Sequence, residues 1–189
     1  MEYTATAAVL HGAGSPFVLE TVQLDALRPD EVLVRVAASG ICHTDLMARD
    51  LLPSPAVLGH EGCGVIEATG RAVSELRAGD WVVMSYAWCG TCTHCRQGQP
   101  YTCESNLPLN FSGRRQDGSA TLRLGGQPVS AAFFQQASFA TRAITLARDV
   151  VKVPPGSPPE LLAALPCGVM TGAGAVLNAL QVRAGEGLA

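Results

Sequence analysis

Apolar and polar positions alternate with a period of two through much of the chain. Residues 31–38, EVLVRVAA, put Val32, Val34 and Val36 on one face and Glu31, Leu33 and Arg35 on the other, which predicts a strand. GVIEATG (64–70) and DWVVMSY (80–86) predict two more, divided by the turn RAGD. SFATRAITL (138–146) and VVKVP (150–154) continue the pattern. Residues 107–126, LPLNFSGRRQDGSATLRLGG, are polar and glycine-rich and predict a long loop. No segment repeats another.

The period changes after Pro155. In SPPELLAAL, Ser157 is a candidate N-cap, followed by prolines at the first helical positions. A second helical stretch, GAGAVLNALQVR, follows Cys167 and is expected to end at Gly185 and Gly187. The closing residues GEGLA (185–189) read as a turn leading into a further strand, so the chain is expected to be a piece of something longer.

Composition narrows the class. A length of 189 residues suits one domain with an appendage. With 48% hydrophobic and 15% charged residues the chain is globular rather than disordered, and 20 glycines with 12 prolines favour a turn-rich body. The expected fold class is mainly β with short helices (α+β). A net charge of −3 leaves no footprint for nucleic acid or an anionic membrane. The N-terminus lacks the basic start and apolar stretch of a signal peptide, and no run approaches eighteen apolar residues, so no membrane span is expected. A reducing, cytoplasmic compartment is the expectation, where structural disulfides are rare.

Four of the seven cysteines fall in CGTCTHCRQGQPYTC: Cys89, Cys92, Cys95 and Cys103, spaced C-x2-C-x2-C-x7-C. A thioredoxin-like redox pair would need its C-x-x-C to open a helix in a βαβ setting, which is not apparent. An iron–sulfur cluster is the stronger rival, although the proline that often follows its fourth cysteine is missing. Tetrahedral zinc fits best: the short gaps let successive thiolates converge, and Gly90 and Gly98 permit the backbone turns. Four protein ligands leave no open position, so this zinc would be structural. Only Arg96 is basic between the outer cysteines, which argues against a nucleic-acid-binding ribbon.

GICHTDLM (40–47), GHEGCG (59–64) and LPCGVMTG (165–172) carry a second candidate set. Cys42 and His60 are candidate zinc ligands, and Cys167 a candidate third; each taken alone reads as well as a small buried residue. Two cysteines and a histidine with one position open form a known catalytic zinc set.

Together with GDWVV, the four-cysteine lobe and PCGVMTGAG, taken in this order, these motifs resemble the N-terminal catalytic domain of zinc-dependent medium-chain alcohol dehydrogenases. The resemblance runs from about Tyr3 to the last residue, and the LPLNFSGRR segment is similar to the aryl (benzyl) alcohol dehydrogenase branch. It implies a GroES-like, partly open β-barrel over residues 1–156 with a zinc lobe at 86–106. Residues 157–189 would be a helical connection towards a Rossmann cofactor-binding domain that is absent from this chain. Two zinc ions per chain are implied, one held by Cys42, His60 and Cys167 and one by the four-cysteine lobe. Thr44, Asp45 and Glu61 are implied as catalytic residues: Thr44 to contact the alcohol oxygen, Asp45 to orient His60 and Glu61 to lie behind the metal. His43 and Thr171 are the implied cofactor contacts.

The implied reaction is oxidation of a primary alcohol, aromatic alcohols included, to an aldehyde by hydride transfer to NAD or NADP, in a full-length homo-oligomer. The 189 residues alone are expected to be inactive. The sequence departs from the family at Met47, where a fuller proton relay has histidine, and at His43, where some members carry arginine. Cys63 reads as a core filler, and His11 and His94 as solvated. A dinucleotide fingerprint is missing: GAGSPF (12–17) and GAGAVL (172–177) each lack the third glycine and a βαβ setting. The alternative function is a zinc-stabilised GroES-like interaction module without activity of its own.

Overall fold

The structure, a computed structural model, describes residues 3–187, so the last two residues of the expected GEGLA turn, Leu188 and Ala189, lie outside the described residues. Among the described residues, ten strands form two five-stranded sheets. The first holds β1 (Thr4–Leu10), β2 (Phe17–Leu24), β4 (Ala56–Val57), β7 (Leu122–Leu124) and β8 (Gln127–Val129), in the order β4-β1-β2-β7-β8. The second holds β3 (Glu31–Gly40), β5 (Glu61–Thr69), β6 (Trp81–Met84), β9 (Arg142–Leu146) and β10 (Val150–Lys152), in the order β10-β6-β5-β3-β9. Every ladder between named strands is antiparallel, and the sheets curve into the expected half-open barrel. Among the described residues there is no parallel βαβ unit.

The alternation in β3 is apolar on both faces because both are buried. Leu33 enters one core with Ala5, Val9, Val22 and Leu122, while Val32 and Val34 enter a second with Ile66, Val82 and Met84. Each such side chain, fully buried, contributes roughly 1.5–3 kcal/mol. Strands β1 and β2 were not predicted. Alanine supplies two of the three inward positions of β1, Ala5 and Ala7, and alanine gives little strand signal.

The 107–126 segment is not the long loop predicted. It starts inside helix α3 (Asn106–Phe111) and ends in the β7–β8 hairpin, whose turn residues Gly125 and Gly126 lie at φ of 55° and 81°. Such a turn needs positive φ at both central residues, which the Gly-Gly pair provides. Pro108 is tolerated because the first N–H groups of a helix have no partner within it. The loop's Arg115 is buried and binds Glu31 Oε1 at 2.6 Å and Asp25 Oδ2 at 2.7 Å, fastening it to β3 and to the end of β2.

Helices α1 (His43–Ala48) and α2 (Thr93–Arg96) are short. The two helical stretches expected after Pro155 form one helix, α4 (Pro159–Ala179), with π-turns at Leu165–Val169 and Ala175–Ala179. Ser157 is not its cap: Pro158 takes that position, and the Ser157 hydroxyl donates to Pro154 O at 3.1 Å. The chain leaves the helix with Gln181 at φ 53°, before Gly185 is reached. At 21 residues, α4 has the length and mean apolarity of a membrane-crossing helix, although no run of eighteen apolar residues lies in it. Its first turns instead lie on the barrel, where Leu162 and Ala163 contact Cys63 and Val83.

Candidate functional site

Two groups of side chains able to ligate a metal ion converge among the described residues. In the lobe between β6 and α3, the sulfurs of Cys89, Cys92, Cys95 and Cys103 all lie within 4.8 Å of one another. The Cys89 and Cys95 sulfurs are 3.8 Å apart, which is about the edge of a tetrahedron of sulfurs around an ion at ~2.3 Å. Gly90 and Gly98, both at φ 76°, make the turns that bring the thiols inward. The Thr91 and Cys92 N–H groups point at Cys89 Sγ from 3.4 and 3.3 Å and hold that thiol down to about 5. Cys92 is lowered as well, chiefly by the Cys95 N–H, whereas burial pushes Cys95 up to about 12. Trp88 closes the lobe under Arg148, whose guanidinium carbon lies 5.4 Å from the ring centre. All seven cysteines are free. His94, expected to be solvated, is half-buried with Nδ1 unpartnered, while His11 pairs with Glu20 Oε2 at 2.6 Å.

The second group is assembled from three distant pieces. Cys42 caps the N-terminus of α1, His60 immediately precedes β5, and Cys167 sits in the first π-turn of α4. The wider turn shifts the register of the helix at Cys167, whose Sγ lies 3.8 Å from Cys42 Sγ. One ligand atom each from Cys42, His60, Glu61 and Cys167 falls within 4.8 Å of the rest. His60 is 3% exposed, its Nδ1 donates to Asp45 Oδ1 at 3.0 Å, and its buried Nε2 has no partner. An orphaned imidazole nitrogen facing two thiols at tetrahedral spacing suits a zinc ion and is costly otherwise.

The electrostatics are those of a cation site. Burial would raise the Cys42 thiol, but hydrogen bonds from the Thr44 N–H and hydroxyl bring it below its ordinary value. Burial would lower His60, but the contact with Asp45 raises it overall. Burial, Cys42 and Glu61 together push Cys167 up to about 12. Two thiolates and a carboxylate gathered in one partly buried space would repel one another unless a metal ion compensated them.

Asp45 also accepts the Cys42 N–H at 2.9 Å and the Gly59 N–H at 3.1 Å, so the carboxylate caps α1 and orients His60 together. Thr44 Oγ1 lies 3.6 Å from Cys42 Sγ, and Glu61 Oε1 accepts the Gly168 N–H at 3.3 Å. His43 and Thr171 are both exposed, outside the ligand cluster. Cys63 is fully buried, donating to Pro159 O at 3.2 Å, as a core filler should be. The sequence reading passed over Phe133, Phe134 and Gln136, which surround His60 from a segment predicted neither as strand nor as helix. Their only signal was the run FFQQ, two aromatics and two amides among small residues.

Residues 28–155 match the sequence profile of the alcohol dehydrogenase GroES-like domain. Geraniol dehydrogenase of Castellaniella defragrans is 47% identical over 189 residues, covering 98% of this chain and 51% of that protein. The crystal structure of an alcohol dehydrogenase zinc-binding domain protein from Burkholderia ambifaria gives a TM-score of 0.93 at 49% identity, over 97% of this chain and 50% of that one. That of benzyl alcohol dehydrogenase from Acinetobacter calcoaceticus gives 0.88 at 46%, over 95% of this chain and 49% of that one. The chain spans about half the length of the relatives it matches.

Proposed function

Because the chain belongs to the alcohol dehydrogenase GroES-like domain family, we propose that it is the metal-bearing catalytic part of a zinc-dependent alcohol dehydrogenase. The full-length enzyme oxidises a primary alcohol, aromatic alcohols included, to an aldehyde, with NAD or NADP as hydride acceptor. The convergence of Cys42, His60 and Cys167 around the orphaned His60 Nε2 carries this reading. The benzyl alcohol and geraniol named for two relatives guide the choice of substrates. Residues 1–156, which include the family match at 28–155, form the catalytic domain with its lobe at 86–106. Residues 157–189 connect it to a cofactor-binding domain.

Zinc bound at this site supplies Lewis acidity, polarising the substrate's hydroxyl and lowering its pKa. Cys42, His60 and Cys167 would hold that ion. Asp45 keeps the proton on His60 Nδ1, so that Nε2 presents its lone pair. Thr44 Oγ1 accepts the alcohol proton and passes its own outward; Met47, one turn on in α1, has no group to relay it further. Glu61 faces the cluster and is tethered by the Gly168 N–H, which makes it a fallback ligand when no alcohol is present. The exposed His43 and Thr171 are the contacts offered to the dinucleotide. Cys89, Cys92, Cys95 and Cys103 would hold a second zinc, whose role would be to stabilise the fold.

Steady-state reduction of NAD and NADP by the full-length protein, with benzyl alcohol and geraniol as substrates, tests the reading. Turnover that disappears in Cys42→Ser, with one zinc per chain retained, supports it. A full-length protein that holds two zinc ions and reduces neither cofactor with any alcohol overturns it and favours the interaction module.

A further inference from the structure

His60 is fixed on three sides. Asp45 holds Nδ1, Phe134 stacks on the ring at 4.6 Å and 26°, and Phe133 meets it edge-on at 5.4 Å and 86°. What remains free is the backbone from which the ring hangs, at the open end of β5. The β5–β6 ladder begins only at Cys63↔Val83, so His60 O and Gly62 N lie beyond its reach.

The Gln136 side chain fills that gap. It is 1% exposed, and its Nε2 donates to His60 O at 2.9 Å and lies 3.3 Å from both Met84 O and Ser85 O, while its Oε1 accepts the Gly62 N–H at 3.1 Å. A side-chain amide has the donor and acceptor of a peptide unit, so Gln136 acts as one more strand residue between the ends of β5 and β6. Glycine is needed at 62, because a Cβ there would come 2.6 Å from Ser138 Cβ and 3.0 Å from Gln136 Oε1. Delivering the amide strains the chain: Phe134, Gln135 and Ala137 sit at φ of 50°, 55° and 53°, although none is glycine. Three left-handed non-glycine residues within four positions persist only when surrounding contacts enforce them, and such strain concentrates at functional sites. The Ser138 and Phe139 N–H groups clamp the segment to Gly59 O and Leu58 O, both at 2.9 Å.

We propose that Gln136 is a positioning residue for the metal-ligating His60, holding its backbone so that Nε2 faces the Cys42 and Cys167 thiols. The proposal rests on the metal-site reading above. The neighbouring Gln135 supplies the control: it is buried in the same strained segment, but its amide donates away from His60, to Leu109 O at 2.8 Å and Arg114 O at 2.9 Å.

The experiment compares Gln136→Met with Gln135→Met in the full-length protein. Each is loaded with cobalt(II) at the His60 site, and the visible ligand-field spectrum and chelator-competed affinity are read, with the lobe metal as internal reference. Gln136→Met is expected to weaken the His60-site metal about 10–100-fold, the range for partners that orient a ligand, and to shift its spectrum while lobe metal stays bound. Gln135→Met is expected to leave that spectrum unchanged. Wild-type spectrum and affinity in Gln136→Met, or equal losses in both variants, overturn the proposal. If Gln136→Met does not fold, Gln136→Asn, with the amide one methylene short, carries the comparison, and wild-type behaviour there overturns it equally. A parent protein that binds metal only in the lobe would instead overturn the metal-site reading, and the positioning role with it.

Discussion

Asp45 serves three donors with two oxygens: the Cys42 N–H on Oδ2, and the Gly59 N–H with His60 Nδ1 on Oδ1. An asparagine has a single acceptor oxygen, so Asp45→Asn turns an NH2 towards at least one of these donors. The expected result is metal affinity reduced by about 10–100-fold at the Cys42 site, by chelator competition, with the lobe unaffected. Unchanged affinity would remove Asp45 from its role. A different carboxylate sets the pH dependence of stability. Asp149 is 2% exposed, both its carboxylate oxygens lack hydrogen-bond partners, and burial lifts it to about 7, with Arg148, 3.7 Å away, pulling down and Asp30 pushing up. In the unfolded chain it ionises near 3.8. Between those values the folded protein keeps a proton that the unfolded chain has released, so its stability falls as pH rises through the window and levels off above it. Asp149→Asn removes this loss. It should exceed the parent in stability by up to about 4 kcal/mol at pH 8 and differ little at pH 4. Thermal melts of both proteins across that range decide it, and parallel pH profiles would refute it.

At the scale of elements, the lobe has little hydrophobic material of its own. Its core is Ala87 and Leu109 around the cysteines, with Trp88 half-buried beside them. A zinc ion held by the four cysteines would stabilise the lobe, as structural zinc contributes an apparent ~10–16 kcal/mol in small zinc-binding peptides at neutral pH. Cys95→Ser should therefore release one metal equivalent and unfold the lobe, lowering the melting temperature; unchanged stoichiometry and melting would contradict a structural zinc there. Local spacing made the convergence of the four thiols legible, since all four fall within fifteen residues. The 107–126 segment was harder to read. Helix α3 is stabilised from outside, by the Asn110 amide clasping Ala87 N and Ala87 O at 2.8 and 3.0 Å, and such support leaves no periodic trace. Helix α4 was read as two pieces because Pro166, Gly168, Gly172 and Gly174 interrupt its pattern. Its π-turns accommodate the helix around Cys167, and packing of its first turns against β5 and β6 offsets the low propensities of Pro166 and Gly168.

For the whole molecule, the barrel brings residues 42, 60 and 167 to one place across as many as 125 positions of chain, the separation of Cys42 and Cys167. Among the described residues it offers no parallel βαβ unit with a phosphate-binding turn, so the 189 residues expressed alone should not reduce NAD or NADP with any alcohol. Turnover by the short chain comparable to that of the full-length protein would show a cofactor site elsewhere in the barrel. The sequence by itself determined whatever depends on neighbouring residues: the strand alternation of β3, β5, β6 and β9, the four-thiol lobe, and the motifs around Cys42, His60 and Cys167 that marked the family. Only the tertiary structure decided the sheet order, the burial of both faces of β3, the pairing of Cys167 with Cys42, and the grip of Gln136 on the backbone of a histidine 76 positions away. The division is physical. Periodicity and short spacings record the local geometry of a chain, whereas a contact between distant segments exists only once the packing of both has closed the space between them.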